Sequence, residues 1–309
     1  MDASVLLVTG IHGNERNGPW LLEPWQREAG LLQRPGLRVQ SLLGNPPAYA
    51  KNLRYIDCDL NRSFSEELLQ QSDASQLEVR RAQELIALHG PGGRQPMQVL
   101  LDLHSTTAPM GSCLVVYGER PADLALAAAC QGQLGLPIYL HGSDPRQSGF
   151  MVSQWPCGLV LEVGPVPQGV VAPLICQQTA LGVASLLDLL SAAFRAPLRL
   201  PAQMVIHRHL RSLDLPRDAE GRPTACLHPE RLRGDWRPLH HGDPLFLDPA
   251  GKTINFTGGD PGSLSTVFSN EAAYQEKQIA LSLTRREQLP TSPGWALALT
   301  ALLRGSTTC

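Results

Sequence analysis

Three apolar runs, each long enough for one strand and each ending in ionisable residues, constrain this chain more than any other feature. They are VLLVTG-IHGNE (Val5 to Glu15), VLLDLH (Val99 to His104) and LVLEVG (Leu159 to Gly164). Near-continuous aliphatic runs suit strands covered on both faces, as in parallel sheets flanked by helices. As neighbours in one such sheet, their C-terminal ends bring His12, Glu15, His104 and Glu162 to one crevice, where open α/β sheets bind ligands. Two imidazoles and a carboxylate can hold zinc with a fourth position left for water, and the remaining carboxylate can act as a base.

The remainder of the chain fits that frame. Strand-like runs over 5–9, 37–43, 99–103, 114–117 and 159–163 alternate with helical patterns over 18–29, 76–88, 122–134 and 170–194. This predicts an α/β fold, a mostly parallel or mixed sheet flanked by helices. After the prolines of 196–201 the texture changes to short, partly alternating runs separated by Gly-Asp, Ala-Gly and Gly-Gly turns. The expected division is a catalytic domain over 1–198 and a smaller β-rich domain over 199–309. The apolar stretch 295–303 is expected to pack as a helix or to contact another subunit.

Composition excludes some functions. A formal charge of −2 with a pI near 6.5 provides no global basic field for nucleic acid or anionic lipid. The N-terminal run lacks a basic leader and is too short for a signal core or a membrane span, so the expectation is a cytoplasmic protein with neither a nucleic-acid nor a membrane partner. Seven cysteines without CxxC spacing read as reduced thiols, so any metal ligands are expected not to be sulfur.

Each candidate residue has a plainer alternative. His12 and Glu15 flank Gly13 and Asn14 in a turn that can aim both side chains at one ion, or in which Glu15 merely caps the next helix. His104 ends an apolar strand in a polar cluster, with Asp102 on the same side of the strand either as its partner or in a core salt bridge. Glu162, between leucine and valine, must be functional or paired with an arginine, because burying a lone carboxylate is costly. Arg54 and Arg62 lie in the charge-dense segment LRYIDCDLNRSF, which reads either as a solvated loop or as an oxyanion stabiliser and a carboxylate clamp. His207, His209, His240 and His241 could form another metal site, although solvated histidines are the simpler reading.

With these residues assembled, the chain resembles the aspartoacylase and succinylglutamate desuccinylase family, related to the zinc carboxypeptidases. GIHGNE, GNPPAYAKNLRYIDCDLNRSF, DLHSTT, LEVGPVPQG, DWRPLHHGDPLFLD, GKTI and NEAAYQEK look like family blocks in family order. The resemblance implies a zinc-carboxypeptidase-like fold and one Zn2+ per chain held by His12, Glu15 and His104. By the same analogy Glu162 is the general base and proton shuttle, and Arg54 polarises the scissile carbonyl. Asn61 and Arg62 are similar to the pair that grips the substrate carboxylate, and Tyr274 to a tyrosine that the second domain adds to the pocket; its plainer reading is core packing. A small-molecule N-acyl amino acid substrate is implied, with N-acetyl-L-aspartate first and N-acetylated neutral or aromatic or N-succinyl amino acids as alternatives. A non-catalytic binding protein and a homo-oligomer stay open.

One departure bears on substrate choice. Aspartate-selective members of the family carry a further arginine shortly before the general base. Residues 148–162 contain none, and Arg146 is more distant.

Overall fold

The computed structural model describes residues 2–142, 147–259 and 262–305. In chain order the strands are β1 (Ala3–Thr9), β2 (Leu37–Leu43), β3 (Val99–Ser105), β4 (Ser112–Tyr117), β5 (Ile138–His141), β6 (Cys157–Val163) and β7 (Gln203–Leu213). They continue with β8 (Cys226–Leu227), β9 (Pro238–Leu239), β10 (Pro244–Leu247), β11 (Thr253–Asn255), β12 (Ser263–Val267) and β13 (Leu281–Pro290). A 10-stranded sheet runs β2-β1-β3-β6-β4-β5-β7-β13-β12-β9, and β11-β10-β8 form a 3-stranded sheet. β1 lies parallel to β2 and β3, and β3 parallel to β6. β4 is antiparallel to β6, so the α/β sheet is mixed, as expected.

Strand alternation divides the core in two and places the site. Val5, Leu7, Leu101, Leu103, Leu159 and Leu161 face one side, against Leu124, Leu186, Leu190 and Leu299 of the helices Pro121–Leu134, Pro173–Arg195 and Pro293–Leu303. Each such fully buried side chain is worth roughly 1.5–3 kcal/mol. Leu6, Val8, Leu100, Val115 and Val160 face the other side, with Leu85 of the helix Leu77–His89 and the irregular segments carrying Phe64 and Trp155. His104 has the parity of Leu100, and Glu162 that of Val160. The polar groups therefore emerge on this second face, at the strand ends where the apolar filling stops. The helix Pro173–Arg195 is long and apolar enough to cross a membrane, but 56% of its most apolar window is buried, and Leu186 and Leu190 pack on the sheet.

Three local differences from the sequence reading have physical causes. The expected helix over 18–29 is two short helices, Asn17–Trp20 and Leu22–Arg27, because Pro24 cannot donate back into the preceding turn. β5 has only four residues, too few for a periodic signal, yet it bridges β4 to β7. Through that bridge the long strands β7 and β13 extend the main sheet, while β8, β10 and β11 close over a small core of Leu227, Leu245 and Phe246. The apolar tail forms the helix Pro293–Leu303 and packs on the chain's own body, where the Thr300 hydroxyl donates to Ala193 O at 2.9 Å.

Candidate active site

The first ligand pair sits in the turn after β1. The Glu15 amide donates to His12 O at 3.2 Å, and the Gly13 amide to Arg54 O at 3.1 Å, which draws the arginine-bearing segment onto the turn. Gly13 is required here: a Cβ would come within 2.1 Å of the Ala48 carbonyl carbon. The second histidine arrives by register, since His104 of β3 lies opposite Glu162 of β6, and parallel partners in register share a face.

These elements converge on three donor atoms. His12 Nδ1 lies 2.6 Å from Glu15 Oε1, and His104 Nδ1 lies 3.0 Å from Glu15 Oε2. One ligand atom from each of the three residues falls within 4.8 Å of the others, and all three side chains are buried. The far nitrogens are fixed as well: His12 Nε2 is 3.0 Å from Asp59 Oδ1, and His104 Nε2 is 2.7 Å from Asp102 Oδ2. A carboxylate on the outer nitrogen selects the tautomer that leaves Nδ1 as the lone-pair donor. Two imidazole nitrogens and a carboxylate oxygen suit a divalent transition metal.

Electrostatics agree with that reading. Burial opposes a charged His104 ring, yet Asp102 and Glu15 outweigh it and hold its pKa well above the ordinary value. Burial would raise Glu15, but His12 and His104 pull it far down. The trio is built to hold positive charge, and a cation entering it takes the place of a proton. Among the described residues no other group of three such side chains has metal-ligand spacing. His207 is instead buried with Nδ1 2.8 Å from the Ser265 hydroxyl, His209 pairs with the Tyr139 hydroxyl at 2.8 Å, and His240 and His241 are exposed.

Glu162 is 8% exposed. Burial pushes its pKa well up, the nearby Glu15 and Glu271 carboxylates add to the rise, and His104 opposes it. Arg54 lines the same cleft, with Nη2 3.1 Å from Asp59 Oδ2 and Nη1 3.6 Å from Glu15 Oε1.

The charge-dense segment is not a solvated loop. Buried Glu78 accepts the amides of Ile56, Asp57 and Cys58 at 2.7, 3.0 and 3.2 Å, and Asp59 accepts the Asn61 amide at 2.9 Å. This local architecture turns Arg54, Asn61 and Arg62 inward. Asn61 Oδ1 accepts from the Met151 amide at 3.0 Å, which leaves its NH2 group as a donor on the pocket wall. The Arg62 guanidinium lies 4.2 Å over the Phe150 ring and donates to Gln147 at 3.3 Å, while its Nε is buried without a partner. Arg146 lies outside the described residues.

The C-terminal part closes the other side. Tyr274 packs 5.3 Å from Phe268, and both line the cleft. Burial raises the Tyr274 pKa, so its hydroxyl stays a donor. Glu271 accepts from the Thr106 hydroxyl and from the Thr107 and Ala108 amides, at 2.8 and 3.1 Å for the amides, binding the loop after His104 to the C-terminal part. Lys277 comes within 3.4 Å of Asp59; burial and the neighbouring Arg62 lower its pKa to about 8. Asp59, Glu78 and Glu271 escaped the sequence reading, because an acidic side chain that caps backbone amides leaves no periodic trace. The resulting cleft is lined by these groups together with Val115, Tyr139 and Phe268.

The chain as a whole is matched in known proteins. Residues 2–190 match the succinylglutamate desuccinylase/aspartoacylase catalytic domain, and residues 202–286 the AstE/AspA barrel-sandwich hybrid domain. The chain is 52% identical over 299 residues to a protein of Prochlorococcus marinus named "Probable aspartoacylase", covering 97% of this chain and 98% of that one. A protein of the same name from a Synechococcus species is 53% identical over 304 residues, 98% of each chain. Murine aminoacylase 3 superposes with a TM-score of 0.84 at 37% identity, over 93% of this chain and 97% of that one. A succinylglutamate desuccinylase from Chromobacterium violaceum, 20% identical with a TM-score of 0.61 over 94% and 86% of the two chains, shares the fold.

Proposed function

Because the chain belongs to the succinylglutamate desuccinylase/aspartoacylase family, we propose that it is a zinc-dependent hydrolase of the amide bond in N-acyl amino acids. The observation that carries this reading is the convergence of His12, Glu15 and His104 within 4.8 Å, with Glu162 in register beside His104. When bound, zinc supplies a Lewis acid that acidifies water and polarises the acyl carbonyl.

The chain's own residues do the rest. Glu162 takes the proton of the attacking water as a C–O bond forms at the acyl carbon. Arg54 places positive charge where the carbonyl oxygen becomes an oxyanion. As the C–N bond breaks, Glu162 returns the proton to the departing amine, giving a carboxylic acid and a free amino acid. Asn61 and Arg62 hold the amino-acid carboxylate, and Tyr274 donates a hydrogen bond from the opposite wall. The clamp requires the planar fork of arginine. Arg62→Lys is accordingly expected to raise KM about 10- to 100-fold, with kcat changed much less; an unchanged KM in initial-rate assays would remove Arg62 from that role.

N-acetyl-L-aspartate is the first substrate to test, since relatives similar over nearly the whole length carry the aspartoacylase name. A second reading, an N-acetylated neutral or aromatic amino acid, is favoured by a wall containing Val115, Tyr139 and Phe268. Assays of N-acetyl-L-aspartate, N-acetyl aromatic, N-succinyl and short-peptide substrates decide between them. Removing zinc with a chelator is expected to abolish hydrolysis, and one equivalent of zinc to restore it. A zinc-free protein with full activity, or a zinc-loaded one that cleaves no panel member, would defeat the proposal.

A further inference from the structure

One residue of the pocket wall and a second two positions further along the chain adopt a backbone form that most L-residues avoid. Phe268 (φ 54) and Asn270 (φ 58) are left-handed although neither is glycine. For a bulky side chain this is a strained state that persists only where surrounding contacts over-determine it. The strain sits where the C-terminal part meets the cleft: Phe268 lines the wall, and Glu271 grips the loop following His104.

Contacts at this turn converge on one dipeptide. Asp235 is 7% exposed, and its two carboxylate oxygens lie 3.3 and 3.4 Å from the Ser269 amide nitrogen, with the Phe268 amide also directed at it. Consecutive amides around an anion form a concavity that fits a carboxylate. Its neighbour Trp236 is itself left-handed (φ 69); its amide donates to Thr266 O at 3.0 Å and its indole to Met110 O at 2.7 Å. On the far side the Asn270 amide donates to Ala280 O at 2.8 Å. The dipeptide thus ties the strained turn both to β12 and to the loop between β3 and β4.

We propose that Asp235 is a positioning residue for hydrolysis, holding residues 268–271 in the strained form that sets Phe268 in the pocket wall and Glu271 on the loop after His104. It acts through the turn and touches no reacting atom. Burial, with Glu271 nearby, raises its carboxyl to about 7, so the group is retained here at an electrostatic cost. The inference rests on the deacylase reading for its kinetic consequence, and on geometry alone for its structural one.

Variants of the full-length, zinc-loaded protein test it. In Asp235→Ala, amide hydrogen exchange at residues 268–271 is expected to accelerate about 10-fold or more, and KM for the best N-acyl amino acid to rise about 10-fold, as loss of an amide–carboxylate contact would give. Zinc content is expected to stay the same and kcat to change less than KM. Asp235→Asn keeps one acceptor oxygen in the same shape and is expected to recover most of both effects. If the alanine variant does not fold, Asp235→Ser, too short to reach the Ser269 amide, decides the matter: faster exchange at 268–271 with a raised KM is expected, and wild-type values of both would overturn the proposal. Local exchange and KM both unchanged, or exchange accelerated uniformly over the molecule with KM unchanged, would overturn the proposal. If the wild type cleaves no N-acyl amino acid, the deacylase reading fails, while exchange at 268–271 still decides the role of Asp235.

Discussion

Glu162→Gln is expected to keep one equivalent of zinc per chain and to lose roughly 10²- to 10⁴-fold in kcat, the usual scale of one general acid–base group. The substitution is close to isosteric at an 8% exposed site, and Glu162 lies on β6, outside the His12, Glu15 and His104 trio. Metal content and fold therefore have no reason to change. The loss should fall on kcat and kcat/KM together, because what is removed is needed only as the proton moves. The pH profile supplies an independent check. Burial pushes the Glu162 carboxyl up from its ordinary value, so the base is protonated at low pH and activity climbs as pH rises through its ionisation. In Glu162→Gln that acid limb should vanish from whatever residual rate remains. A glutamine variant with near-normal turnover, or with an unaltered acid limb, would show that another group carries the proton.

Much of this site is legible in the sequence because three of its parts sit at the ends of strands. Apolar runs such as VLLDLH announce a doubly covered strand, and on the condition that the three runs are neighbours, which the order β1-β3-β6 meets, His12, His104 and Glu162 fall to one crevice. The rest is set by contacts that have no period. Asp102, two positions before His104 on the same side of the strand, is legible as its partner, whereas only the folded chain brings Asp59 to the outer nitrogen of His12, 47 positions away. Glu78 shapes the arginine segment by accepting amides some 20 residues before it in the chain. Tyr274 came through family resemblance rather than pattern, since an isolated tyrosine after two alanines reads equally well as core. The joining of β7 to the main sheet was hidden for a similar reason: four residues of β5 make the bridge, and a strand that short carries no alternation.

His104→Ala should fail differently, by losing the metal. His104 contributes the only ring nitrogen on β3 that faces Glu15, and its Nε2 neutralises Asp102, a carboxylate with no solvent exposure. Removing the ring takes away a ligand and also leaves Asp102 buried without its partner, a change that costs roughly 3–5 kcal/mol in comparable buried pairs. The expected outcome is a zinc affinity reduced by more than the roughly 10- to 100-fold typical of losing an outer partner, with a lower Tm and no measurable hydrolysis. Since the stability loss alone could expel zinc, Glu15→Gln separates the causes: the amide keeps the size of the side chain and leaves the His104–Asp102 contact in place, yet offers a weaker donor between the two imidazoles. Zinc bound by Glu15→Gln should fall while the chelated variant, with a Tm lowered by the lost ion pairs of Glu15 to His104 and Arg54, stays folded at the assay temperature and keeps Asp102 partnered. Full zinc occupancy in both variants at sub-stoichiometric total protein, read by elemental analysis after dialysis, would mean that the ion sits elsewhere and that the trio is only a buried ionic network.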